Sequence, residues 1–290
     1  MTAPLSATPN VVRTGDGVDL FYRDWGSGRP VVFVAGWSLP SESWSYQMLA
    51  LKGAGYRVIA FDRRGHGRSS DPGRGYDFDT LADDLGAVLD ALDLRDALLV
   101  GHSMGCNEIL RYLSRHGNAR VAGAALLGTM TPFVLKTPDN PDGIDATFFE
   151  AMRREQLMVD FPQWIDENMV PFVYPETPAG IKDWVRGMAL GASLQALVEC
   201  NRALASTDFR AELPDIDVPV LLIAATDDAS APIAPTAEPT ARLLPNATLR
   251  RYEGAPHGMF ITHRARVNAD LLEFADGIVH NRRHTILEEA

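Results

Sequence analysis

Cysteine is scarce in this chain: Cys106 and Cys200 are the only two among 290 residues. They form neither the short spacing of a metal-binding pair nor a disulfide framework. Basic residues are outnumbered, 27 Lys and Arg against 38 Asp and Glu, which leaves a formal net charge of −11. That balance excludes nucleic-acid backbones and anionic membrane surfaces as natural partners, since both are held by basic patches. No apolar stretch approaches the roughly 20 residues that span a bilayer. The start, Met1-Thr2-Ala3-Pro4, lacks the basic-then-apolar pattern of a secretory signal. A reducing cytoplasm is therefore the expected compartment. Internal repeats and low-complexity tracts are missing too. What remains, 46% hydrophobic and 22% charged residues, is the composition of a globular protein able to bury one large core or two small ones.

Hydrophobic periodicity alternates along the chain between strand and helix. Val18 to Trp25 and Val31 to Ala35 read as strands joined by the tight Gly26-Ser27-Gly28-Arg29-Pro30 connection, and Tyr56 to Phe61 is a further β-branched apolar run. Leu81, Leu85, Val88, Leu89 and Leu92 then mark a helical stripe, with Asp79 and Thr80 as cap candidates. Ala97 to Val100 and Val121 to Leu127 read as strands around a helix whose buried stripe is Cys106, Ile109, Leu110 and Leu113. Later come a strand over Val218 to Ala224, a helix over Ala234 to Leu244 and a strand over Thr248 to Tyr252. A closing helix over Arg264 to Ile278 carries the stripe Val267, Leu271, Phe274 and Ile278, and His280 to Ala290 form a polar tail. Strands separated by helices imply right-handed crossovers and a mostly parallel sheet covered on both faces. Ligands of such sheets bind at the carboxyl ends of the strands.

The rhythm breaks after Gly128. Seven prolines between Pro132 and Pro178 interrupt short amphipathic pieces that contain Phe148, Phe149, Met152, Trp164, Phe172, Tyr174, Trp184 and Met188. Ile181, Trp184, Val185 and Met188 share one helical face. The expected organisation is a core formed by residues 1–128 and 210–290, with a helical cap inserted over 129–209 after the sixth strand. Most of the cap's apolar side chains are expected to pack the insertion onto the sheet. Met130, Trp164 and Trp184 are the candidates for lining a substrate pocket.

Chemistry enters at Gly101-His102-Ser103-Met104-Gly105, between the strand ending at Val100 and the helix behind it. With 24 glycines in the chain, a Gly-x-Ser-x-Gly match alone is weak, and its plain reading is a turn. In a strand-to-helix context it reads as a nucleophile elbow, a sharp turn that lifts the serine hydroxyl above the sheet. A serine needs an imidazole as base and a carboxylate to orient that imidazole. Of seven histidines, His257 lies in the Gly254-Ala255-Pro256-His257-Gly258 loop just after the last strand, whereas His116, His263, His280 and His284 fall in or beside helices. Asp227 and Asp228 both follow the strand ending at Ala224, and the order Ser, Asp, His fits the elbow.

Attack by serine places negative charge on a carbonyl oxygen, which backbone amides must receive. Met104 supplies one amide by position, and Trp37, in Ala35-Gly36-Trp37 after a strand, is the candidate for the second. Gly36 and Trp37 otherwise serve to end the strand and wall a pocket. His102 is expected to pack beside the turn. One reading of His66, within Asp62-Arg63-Arg64-Gly65-His66-Gly67-Arg68-Ser69, is a surface turn residue. The three arginines there offer an anion site, but no lysine-serine phosphate cradle follows, which favours a structural loop.

That segment, together with Gly75-Tyr76-Asp77-Phe78-Asp79-Thr80, Ala82-Asp83-Asp84-Leu85, Asp93-Leu94-Arg95-Asp96, Gly101 to Gly105, Asn140-Pro141-Asp142-Gly143 and Tyr252-Glu253-Gly254, resembles the cofactor-free haloperoxidase, arylesterase and perhydrolase group of α/β-hydrolases. The likeness covers nearly the whole chain and is strongest from Gly55 to Gly117. It implies an α/β-hydrolase fold with a helical cap and no metal or organic cofactor. The group's nucleophile falls on Ser103 and its base on His257. Its acid falls on Asp228, because the pattern places that aspartate four residues before a proline, here Pro232. Two departures stand out. The group usually carries His-Gly before the oxyanion residue, where this chain has Ala35-Gly36, and a proline directly after the aromatic, where this chain has Ser38 and then Pro40. The first removes an imidazole support from the loop, and the second alters a position linked in the group to peroxide handling. Cys106 and Asn107 stand where smaller residues are common in the group, narrowing the space beneath the elbow.

The expected activity is serine-dependent hydrolysis of a small or medium apolar carboxylic ester or lactone through an acyl-enzyme. Peroxide in place of water, giving peracids, and amide or lactam hydrolysis are alternatives that share the machinery. Haloalkane or epoxide opening is disfavoured, because related enzymes of that kind place aspartate at the position of Ser103. A hydrolase-fold small-molecule receptor is the alternative of another class. The expected partner is a small-molecule substrate, and the sequence is compatible with a homo-oligomer.

Overall fold

The computed structural model describes the backbone of residues 10–288 and the side chains of residues 10–278. Met1-Thr2-Ala3-Pro4 and the side chains of the tail from His280 to Ala290 lie outside the described residues. An eight-stranded sheet forms the centre: β1 (Val11–Arg13), β2 (Asp19–Trp25), β3 (Pro30–Val34), β4 (Arg57–Phe61), β5 (Ala97–His102), β6 (Val121–Leu127), β7 (Val220–Ala225) and β8 (Ala247–Tyr252). Their spatial order is β1-β2-β4-β3-β5-β6-β7-β8. Only the β1/β2 and β2/β4 pairs are antiparallel, and every pair from β4 to β8 is parallel. This is the mostly parallel sheet that the alternation of strand and helix patterns predicts, in the α/β-hydrolase arrangement that the family resemblance implies.

Helices cover both faces, as continuous apolar strands require. Side chains alternate across the sheet. Val32, Val34 and Leu99 enter one core with Leu81, Leu85 and Val88 of α2 (Phe78–Ala91) and Ile109 and Leu110 of α3 (Met104–His116). Val31, Phe33, Leu98 and Val100 enter the opposite core with Met48 and Leu51 of α1 (Ser45–Gly53) and with residues of a long C-terminal helix. The α2 cap is Asp77 rather than the expected Asp79 or Thr80. Phe78 already belongs to the buried face, so the helix starts earlier, and the extended Asp77 accepts the Thr80 amide at 2.9 Å.

Between β6 and β7 every element is helical: α4 (Ala146–Ala151), a π-helical turn (Met152–Leu157), α5 (Met158–Val173), α6 (Ala179–Ala189), α7 (Leu194–Ser206) and a short 3-10 turn at Leu213–Asp215. α5 is broken at Asp160, whose backbone leaves the helical region (φ −150°, ψ 82°) and whose carboxylate accepts the Gln163 amide at 3.0 Å. Asp160 thereby caps a second helix that tolerates Pro162 in its first turn. After β7, α8 (Ala237–Leu243) precedes β8, and α9 (Met259–Thr262) and α10 (Arg264–Glu288) close the chain. Val267, Leu271 and Ile278 of α10 are buried as the stripe predicts, and the helix continues past Ile278 to Glu288. Among the described residues no helix is long and apolar enough to cross a membrane.

Candidate active site

Ser103 sits at φ 52°, ψ −121°, immediately after β5 and before α3. A non-glycine residue held at such a positive φ stores strain of order 1–3 kcal/mol, so the neighbours must enforce it. The Ser103 amide donates to Leu127 O at 2.8 Å, tying the turn to β6. A Cβ on Gly101 would stand 2.9 Å from the Cys106 amide nitrogen, and one on Gly105 would collide with the Val34 carbonyl. Both glycines of the motif are thus demanded by close backbone approach.

β5, β7 and β8 run parallel, so the segments after them meet at one edge of the sheet. His257 Nδ1 lies 2.6 Å from Asp228 Oδ2. The other Asp228 oxygen accepts the amides of Ser230 at 2.9 Å and Ala231 at 2.7 Å. Both side chains are buried. Burial alone would raise the Asp228 carboxyl pKa, but the facing imidazole and the donated hydrogen bonds outweigh it and hold the group below its ordinary value. Asp227, the other candidate, is exposed, and its carboxylate faces the Tyr174 hydroxyl at 3.4 Å. Gly128, which the sequence marks only as the end of a strand, makes room for the pair. A Cβ there would lie 3.1 Å from His257 Nδ1 and 3.3 Å from Asp228 Oδ2, and the residue sits at φ 56°.

His102 packs beside the turn as expected. Its ring lies 4.6 Å from both the His257 and the Phe260 rings, and its Nε2 is 3.0 Å from His257 O. Burial, reinforced by the neighbouring His257, lowers its pKa to about 3, so the ring stays neutral. Gly36 is the residue that admits this ring, since a Cβ there would be 2.6 Å from His102 Nδ1.

α3 begins at Met104, so the Met104 amide is a first-turn donor without an intrahelical acceptor. Trp37 follows β3 at the same edge, its indole nitrogen donating to Leu197 O of α7 at 2.9 Å. The Trp37 ring meets Trp164 edge-on at 5.2 Å and Phe161 at 6.2 Å, so α5 supplies an aromatic wall next to the Trp37 loop. Trp164 is therefore placed beside a candidate oxyanion residue. Trp184 lies elsewhere along the segment, donating to Glu42 Oε1 at 3.1 Å and packing on Tyr46 at 5.8 Å. Met130 is half-buried against the core shared with α2 and α3. The sequence reading missed Phe172 of α5, whose ring meets His257 edge-on at 5.9 Å.

The arginine-rich loop after β4 is structural. Arg64 is buried between Asp84 at 2.6 Å and Asp16 at 3.0 Å, Arg63 pairs with Glu108, and Arg68 lies over the Phe21 ring at 4.7 Å. His66 is buried, not a surface turn residue, because the loop folds inward against α7: the Ser193 amide bonds Gly65 O at 2.8 Å. Cys106 and Cys200 are free and buried, and Asn107, in the first turn of α3, is buried. Among the described residues no cluster of three His, Cys, Asp or Glu side chains could hold a metal ion.

Comparison with known proteins agrees with this fold. Residues 29–264 match the family described as alpha/beta hydrolase fold. The chain is 43% identical over 270 residues to a non-heme chloroperoxidase of Kitasatospora aureofaciens, covering 91% of this chain and 98% of that one. It is 38% identical over 272 residues to a bifunctional esterase/perhydrolase of Acinetobacter calcoaceticus, with the same coverage. An esterase structure from Exiguobacterium antarcticum superposes with a TM-score of 0.89 at 30% identity, covering 92% of this chain and 99% of that one.

Proposed function

Because this chain belongs to the α/β-hydrolase fold family, in the group of cofactor-free haloperoxidases and esterases, we propose that it is a serine hydrolase of small or medium apolar carboxylic esters. The observation that carries this reading is the buried Asp228–His257 contact of 2.6 Å at the sheet edge where the strained Ser103 turn stands. In this reading the Nδ1 proton of His257 is donated to Asp228, which leaves the Nε2 lone pair as the base. Ser103 Oγ attacks the ester carbonyl carbon while its proton passes to Nε2. The Trp37 and Met104 amides receive the negative charge on the carbonyl oxygen. Collapse of the tetrahedral adduct breaks the bond to the alcohol, which leaves with the proton from His257. Water, deprotonated by His257, then releases the acid and restores Ser103. No step calls for a metal or an organic cofactor.

The helical segment 129–209 acts in this reading as a cap over a core of residues 1–128 and 210–290. Phe161 and Trp164, which meet Trp37 of the core, and Phe172, which meets His257, give that cap an apolar, aromatic inner side, which favours uncharged acyl groups and excludes water from the developing charge. Hydrogen peroxide as acceptor in place of water is a second reading, favoured by the perhydrolase and chloroperoxidase relatives. Hydrolysis of p-nitrophenyl esters of increasing acyl length by wild type and Ser103→Ala, with and without peroxide, tests both. The expected result is turnover that Ser103→Ala abolishes without unfolding. Turnover that survives in Ser103→Ala overturns the assignment. Peracid formation from acetate and peroxide at the Ser103→Ala level eliminates the peroxide reading.

A further inference from the structure

Arg63 takes no part in the steps above, yet it is 3% exposed and lies between the two sources of the oxyanion amides. Its guanidinium donates from Nη2 to Ala35 O at 2.6 Å, from Nη1 to Gly36 O at 3.2 Å, and from Nε to Glu108 Oε1 at 2.6 Å. Glu108 belongs to α3, the helix that begins at Met104, and is fully buried. An ion pair in such a place is a poor device for stability, because two apolar side chains of similar volume usually do as well or better. What the planar fork of an arginine does supply is direction.

The direction concerns one peptide unit. Gly36 C=O and Trp37 N–H belong to the same planar amide, so fixing the oxygen aims the hydrogen the opposite way. A cation bound at that oxygen also polarises the amide and strengthens its N–H as a donor. Gly36 O accepts Leu39 N as well, at 3.3 Å, while Ala35 brings no polar side chain to the loop and Ser38 stands at φ 66°. Resting on the serine-hydrolase reading, we propose that Arg63, held by Glu108, is a positioning residue for the oxyanion. It sets the direction of the Trp37 amide and, through Glu108, fixes that amide relative to the Met104 amide on α3.

The test uses two variants and two readouts. Arg63→Lys keeps a charge opposite Glu108 but cannot reach both carbonyls and the carboxylate. Arg63→Met combined with Glu108→Met removes both charges and leaves none buried alone. The first readout is kcat and KM for a p-nitrophenyl ester. The second is the affinity of phenylboronic acid, which becomes tetrahedral on the serine oxygen and needs no turnover to be measured, with Ser103→Ala as control. The expected result is a fall of roughly 10- to 100-fold in kcat and a matching loss of boronate affinity, with KM nearly unchanged. Folded variants that keep kcat and boronate affinity, or that lose KM without boronate affinity, overturn the role. Collapse of both variants makes the pair a requirement of folding and overturns it too. Wild type that binds boronate through Ser103 but leaves esters untouched sinks the ester reading alone, and Arg63 is then judged on boronate affinity. Wild type that binds no boronate overturns both.

Discussion

The carbonyl oxygen of Phe172 accepts the amide proton of Gly258 at 2.8 Å, while the Phe172 ring packs edge-on against His257 at 5.9 Å. The end of α5 is thereby joined, by backbone and by ring, to the loop that carries the candidate base. Gly258→Ala probes the joint. Its Cβ would stand 2.6 Å from Phe172 O and 3.0 Å from Phe172 Cε1 and Val173 Cγ1, so helix or loop must move. Destabilisation of about 1–3 kcal/mol is expected for such overpacking, with a fall in kcat/KM as His257 shifts. Thermal unfolding and ester kinetics check it, and wild-type values in both would show that the joint does not hold the loop.

Asp228 and Asp227 are adjacent carboxylates in unlike surroundings, one buried on His257 and the other exposed. Asp228→Asn preserves shape and can still receive the Ser230 and Ala231 amides on its carbonyl oxygen, but it no longer favours the Nδ1–H tautomer of His257. A loss of about 10⁴ in kcat is expected, by analogy with the same change in serine proteases. Asp227→Asn is expected to leave kcat unchanged. Equal effects from the two substitutions, measured on folded protein, would remove Asp228 from the proposed triad.

Gly36 and His102 share one space. Gly36→Ala places a Cβ 2.6 Å from His102 Nδ1, and that ring is already confined by Trp44, Phe260 and His257. The expected outcome is a less stable protein with weakened turnover, because the added methyl must push either the imidazole or the loop that carries Trp37. Combining Gly36→Ala with His102→Ala vacates the space. The pair should then be non-additive by 0.5 kcal/mol or more, on the order seen for residues in contact. Strict additivity in a double-mutant cycle of unfolding free energies would argue that the loop simply relaxes.

Local chemistry was readable in the sequence, and tertiary enclosure was not. The Ser103 turn announces itself through Gly101 and Gly105, whose need is set by backbone atoms only a few residues away or on the next strand. The parallel sheet follows from apolar strands spaced by helices, and its strand ends bring Asp228 and His257 together. Choosing Asp228 over Asp227 needed the family pattern, because adjacent aspartates after one strand are alike until the turn that caps one of them is known. α1 escaped detection because its apolar residues do not form one clean stripe: Met48 and Leu51 are buried while Leu49 is exposed. β1, three residues long, was equally silent. His66 sits among glycines, a pattern that reads as surface, and only the inward fold of its loop against α7 buries it. Phe172 looked like any aromatic of a proline-broken segment until α5 was placed over His257.

Two buried imidazoles, His66 and His102, contribute to the response of the molecule to acid. Burial lowers the His66 pKa to about 3, with the neighbouring Arg63 charge adding to the effect, and burial with the neighbouring His257 does the same for His102. In the unfolded chain both return to about 6.5. Between those values these two groups bind more protons in the unfolded state than in the folded one, so their contribution to stability rises with pH and is lost as pH falls from about 6.5 towards 3. Each histidine contributes a slope of up to about 1.4 kcal/mol per pH unit in that window, on top of whatever the carboxylates add at its lower end. His66→Gln, which cannot titrate, is expected to remove one such share while leaving the ester-cleaving residues in place. Urea unfolding from pH 7 to pH 4.5 measures it: the variant's stability should fall less steeply than that of wild type. Parallel curves for the two proteins would mean that His66 takes up its proton in the folded state as readily as in the unfolded chain.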